Sequence, residues 1–102
     1  MEPYSTMTEA VDGLKSRGFG ANFELIDNKM QAMESGHRFE AAELTIVEHY
    51  RFEGITNPAD ESIVFAIESH DGTKGVLVDA YGVYANPELT AFLKGAEHRQ
   101  GR

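Results

Sequence analysis

The chain contains no cysteine anywhere in its 102 residues. That excludes a thiol nucleophile, a disulfide staple and a thiolate-bound metal, and it fits a reducing compartment. Basic residues are also scarce: nine Lys and Arg stand against seventeen Asp and Glu, for a net charge of −8. Phosphate backbones and anionic membranes are gripped by clustered cations. Here the cations are scattered singly, apart from Arg99 and Arg102. Nucleic acid and membrane are therefore not expected as partners. No apolar run approaches the ~20 residues that span a bilayer. The opening Met1-Glu2-Pro3-Tyr4-Ser5-Thr6 lacks the basic start and apolar stretch of a signal peptide. The expected address is the cytoplasm.

What is present reads as an ordinary folded protein, with 41% hydrophobic and 25% charged residues. The length suits one domain over residues 1–102, with tails expected at 1–5 and 96–102. Thr6-Met7-Thr8-Glu9 has capping-box spacing, and Met7, Ala10, Val11 and Leu14 follow as one helical stripe. Gly18 suits the left-handed position that ends such a helix, so a helix is predicted over Met7–Arg17.

The period then changes to two. Phe23 and Leu25, a turn at Asp27-Asn28, and Met30 with Ala32 predict a hairpin. Leu44–Glu53 is the longest strand candidate. Alternation assigns Leu44, Ile46, Glu48, Tyr50 and Phe52 to one core-facing side. Ser62–Ser69, a tight turn at Asp71-Gly72, and Lys74–Tyr81 predict a further antiparallel pair. Asn86-Pro87-Glu88 marks a second helix start, with Leu89, Phe92 and Leu93 as its apolar stripe. The expected fold is α+β: a mostly antiparallel sheet of about five strands, with an N-terminal and a C-terminal helix packed on one face. The other face would be left for solvent, a ligand or a second copy.

Familiar catalytic patterns are missing. His37, Arg38, Glu40 and Glu43 share a loop without metal-ligand spacing, so neither a metal nor another cofactor is expected. There is no Gly-x-Ser-x-Gly elbow, and Gly72-Thr73-Lys74-Gly75 is explained by a hairpin turn. Two constellations stand out. In the first, Arg51 and Glu53 share a strand face beside Asn57-Pro58 and Asp60, where an arginine fork could hold a carboxylate or phosphate. In the second, Asp79 lies between Val78 and Ala80 and is followed by Tyr81 and Tyr84, a frame for a pocket with hydrogen-bonding ends. An exposed ion pair and a strand edge covering the core are the plainer readings of the same residues.

The segments Arg51-Phe52-Glu53-Gly54, Asn57-Pro58, Asp60, Ser62-Ile63, Ala66-Ile67 and Gly75-Val76-Leu77-Val78-Asp79-Ala80-Tyr81-Gly82 carry a likeness. Through them the chain resembles a family of uncharacterised bacterial proteins of similar size, whose members often carry the label phosphoribosylpyrophosphate synthetase. In the ribose-phosphate loop of true synthetases a hydrophobic strand leads into two adjacent acids and a Thr/Gly-rich turn. Val76-Leu77-Val78-Asp79 is similar to the start of that loop; Ala80 stands at the second acid, and Tyr81-Gly82-Val83-Tyr84 replaces the turn. The resemblance thus implies a family without implying its labelled activity.

The functional expectation is a non-enzymatic small-molecule-binding or regulatory module, with a homodimer as one way to use the spare sheet face. Arg51, Glu53, Asn57, Asp60, Asp79 and Tyr81 are its candidate ligand-binding residues. Two alternatives stay open. One is a small enzyme acting on a phosphorylated or carboxylated metabolite, with Arg51 as anion clamp and Asp79 or Glu53 as acid/base. The other is a subunit of a protein complex.

Overall fold

Thr6 starts the first helix as its spacing predicts. In the computed structural model, which describes residues 4–52, 62–80 and 86–99, helix α1 covers Met7–Ser16. The Glu9 N–H donates to the Thr6 hydroxyl at 3.1 Å, while the Glu9 carboxylate reaches one residue further than expected and accepts from the Ser5 N–H at 2.9 Å. Gly18, with φ 105°, ends α1. The Gly18 N–H donates to Lys15 O and the Phe19 N–H to Leu14 O, the paired bonds of a Schellman turn.

The strands are β1 (Ala21–Ile26), β2 (Lys29–Ala32), β3 (Arg38–Phe39), β4 (Leu44–Phe52), β5 (Ser62–Ser69), β6 (Lys74–Ala80) and β7 (Glu97–His98). Helix α2 (Pro87–Leu93) precedes β7. They form one sheet in the order β3-β2-β1-β6-β5-β4-β7. The hairpins β1–β2, β4–β5 and β5–β6 are antiparallel, whereas β1–β6 and β4–β7 are parallel. The expected fold class needs correction on this point. The sheet is mixed and has seven strands among the described residues, not about five that are mostly antiparallel. Adjacent elements can be paired by their short links, but β1–β6 and β4–β7 join segments distant in sequence. Nor does α2 end the chain: Glu97–His98 reads as charged tail yet pairs with Thr45–Ile46, and Ala96 is buried.

The helices lie on opposite faces, not on one. Ala10, Leu14 and Phe19 pack with Val64, Ala66 and Val76 on one side of the sheet. Leu89, Leu93 and Ala96 pack with Phe23, Met30, Leu44, Ile46, Ile67 and Leu77 on the other. Alternation along β5 and β6 feeds both clusters, as central strands covered on two faces must. The expectation of a spare face falls with this arrangement.

Strand β4 corrects a second expectation. Its register against β5 shifts between Ile46 and Glu48, a β-bulge that inserts Val47. Leu44 and Ile46 face the α2 side. Beyond the bulge, Tyr50 and Phe52 face the α1 side with Val47. The even-numbered residues of β4 therefore do not share one face. No helix among the described residues is long and apolar enough to cross a membrane.

Candidate functional site

Gly75 brings β1 and β6 together. A Cβ there would sit 2.5 Å from the Ala21 carbonyl oxygen and 2.8 Å from the Phe23 ring, so only glycine lets the two backbones approach this closely. Among the described residues two parallel pairs join them, Ala21↔Gly75 and Asn22↔Val76. The strands then diverge towards their carboxyl ends, and a cleft of about 630 Å³ opens between them. Its lining follows from strand alternation. Val11, Asn22, Glu24, Met33, Val76 and Val78 come from the α1 side of the sheet, and Phe23, Leu25, Leu77, Asp79, Asn86 and Leu89 from the α2 side. The cleft therefore runs between the strands instead of lying on one face. Val78 and Met33 at its lips are 43% and 41% exposed.

The closed end is pinned by polar side chains. The Asn22 N–H donates to Glu34 Oε1 at 2.9 Å, and its side-chain amide donates to Glu34 Oε2 at 2.6 Å. Lys15 Nζ donates to Asn22 Oδ1 at 3.0 Å. These bonds, the Asn22 N–H above all, hold the Glu34 carboxyl below its ordinary range.

The expected site residues distribute unevenly. Asp79 lines the cleft, where Oδ1 accepts from the Ala80 N–H at 2.8 Å and Oδ2 from the Asn86 N–H at 3.3 Å. Asn86 in turn caps α2 by accepting from the Glu88 and Leu89 N–H groups. Asp79 is thus a brace between the end of β6 and the start of α2. Arg51 and Asp79 both pair with Ile63, from opposite sides, and all three share one sheet face. Two strand spacings separate the backbones of Arg51 and Asp79, roughly 10 Å. Glu53, Asn57, Asp60 and Tyr81 lie outside the described residues, as does Tyr84. Among the described residues no group of three His, Asp or Glu is placed to hold a metal ion.

A second polar cluster escapes sequence reasoning. The Val47 bulge turns Glu48 onto the α1 side, where Arg17 Nη1 and Nη2 donate to its two oxygens at 2.9 and 2.5 Å. The Tyr50 hydroxyl donates to the same carboxylate at 2.5 Å. Tyr4 stacks edge-on against Tyr50 with ring centres 5.1 Å apart. The bond to Arg17 holds the Glu48 carboxyl low, and the same bond raises Arg17. Burial, followed by the bond to Glu48, pushes the Tyr50 hydroxyl up to about 12. Residues 17, 48 and 50 carry no spacing signal, because a bulge and a tertiary contact bring them together. The network clamps the end of α1 to the sheet.

No protein-family model matches the chain, and neither curated proteins nor solved structures include a match to it.

Proposed function

We propose that the chain is a non-enzymatic binding module whose ligand seat is the cleft between β1 and β6. The observation that carries this reading is the divergence of two parallel strands after only two pairs. In open parallel sheets ligands sit in the crevice at the carboxyl ends of adjacent strands, and the gap after Asn22↔Val76 is a comparable opening in this mixed sheet. The volume of about 630 Å³ lies within the range of ligand pockets. Its lining mixes apolar side chains with the polar Asn22, Glu24, Asp79 and Asn86, so burial and orientation are both on offer. The commitment of both Asp79 oxygens to backbone N–H groups favours a bracing carboxylate over one that moves protons.

Titrating ¹⁵N-labelled protein with a library of small organic fragments tests the reading. Hits should shift the amides of Phe23–Ile26 and Leu77–Asp79 together, and Val78→Lys should weaken them at least tenfold with the melting temperature held. Shifts scattered over the surface, or confined to another site, would remove the cleft as the ligand seat.

A further inference from the structure

We infer that the occupant of this cleft is an extended polypeptide segment carrying basic and apolar residues, seated by strand pairing between β1 and β6; this rests on the binding reading above. The backbone supplies the first reason. Asn22 turns its carbonyl to the Met33 N–H and its own N–H to Glu34, both on the side away from β6. By alternation, the N–H and C=O of Phe23 and Leu25 point to the β6 side. Across the gap Val78 holds the same phase, two residues beyond the paired Val76. Among the described residues no β1–β6 pair follows Asn22↔Val76. The Phe23 N–H closes the last pair and the Ala80 N–H is held by Asp79. The edges facing the gap are therefore the Phe23 C=O with both groups of Leu25 on β1, and both groups of Val78 on β6, at the two-residue period that another backbone matches.

The opening limits the length. Phe23–Ile26 extends roughly 13 Å at strand rise, room for about four residues of a guest strand.

Charge and exposure supply the second reason. Among the described lining residues the charged ones are Glu24 and Asp79, both acidic, in a chain of net charge −8. Cationic side chains complement them. The half-exposed Val78 and Met33 offer apolar contact to side chains that alternate with the cations. A peptide satisfies backbone edges, acidic liners and apolar lips together, whereas a compact small molecule leaves most of the edge groups without partners.

The test pans a phage-displayed library of random decapeptides against the immobilised full chain, and titrates the most enriched peptide into ¹⁵N-labelled protein. Enriched peptides should alternate basic and apolar residues, and shifts should centre on Phe23–Ile26 and Leu77–Ala80. Methylating alternate backbone nitrogens of the peptide should cost at least tenfold in affinity, as should Glu24→Lys, an exposed position that leaves the melting temperature in place. Equal binding by the methylated peptide, a footprint elsewhere, or no enrichment would overturn the inference. Fragment hits in the cleft without peptide binding would leave the seat standing with a small-molecule occupant. Concentration-dependent shifts at the same amides in the protein alone would make a second copy the occupant, which also overturns it. A cleft silent to fragments and peptides alike would remove both readings.

Discussion

Glu48 carries a guanidinium on both oxygens and a tyrosine hydroxyl on one, yet the sequence places it in the middle of an apolar strand face. The pair with Arg17 is partly solvated, with side chains 45% and 22% exposed, so its direct worth is about 1 kcal/mol or less. Its pH signature is sharper. Glu48 titrates below its ordinary range in the fold. Its contribution is therefore present above the unfolded carboxylate value and lost as pH falls through the depressed one. Tyr50 is shifted the other way, up to about 12. Its contribution is whole below the ordinary tyrosine value of about 10 and is lost as pH rises through 12. Urea unfolding across that alkaline window should show stability falling in the parent and falling less steeply in Tyr50→Phe. Equal slopes would detach Tyr50 from the network. At this scale the legible residues were those whose work is local. Thr6, Gly18 and Asn86 act on groups within a few positions of themselves, whereas Glu48 acts on a residue brought to it by the sheet.

The β1–β2 hairpin turns on Asp27 and Asn28, both with left-handed φ of 52° and 64°. That pair of angles belongs to the two-residue turn whose twist matches the strands, and its second position favours glycine. Asn28→Gly should raise the urea midpoint by the equivalent of roughly 0.5 kcal/mol without changing the m-value. A lower midpoint would mean that the asparagine side chain contributes more than its strained backbone costs. This turn was readable because its chemistry sits in two adjacent residues. The β4 bulge is not: Ile46-Val47-Glu48 has no glycine, and although Val47 and Glu48 break the alternation, the register shift itself appears only against β5. One extra residue sends half of β4 to the opposite face, so the simple period-two reading failed from Glu48 onward. The cleft was half legible for a related reason. Asp79 is marked by its setting on β6, while Phe23, Glu24 and Leu25 look like no more than a hairpin arm.

In the whole molecule, the join between β1 and β6 depends on a glycine whose importance the sequence conceals. Gly75 reads as part of a turn with Gly72, but it lies within β6, where the Ala21 carbonyl would meet any Cβ at 2.5 Å. The obstacle is backbone, so Gly75→Ala should destabilise by about 1–3 kcal/mol, the usual cost of forced overpacking. A neutral result in urea would show that the strands can part further at no cost. The same join also fixes an order of events in time. Strands β1 to β3 and strands β4 to β6 each form a meander of neighbouring strands, whereas Ala21 and Gly75 meet only by closing a loop of roughly fifty residues. Local pairings form early, so this contact should still be absent at the folding barrier. Stopped-flow measurements on Gly75→Ala should then find the folding rate nearly unchanged and unfolding faster by roughly 5- to 150-fold. A guest strand in the cleft would bind across the last contact to form, and so would slow the first step by which the protein comes apart.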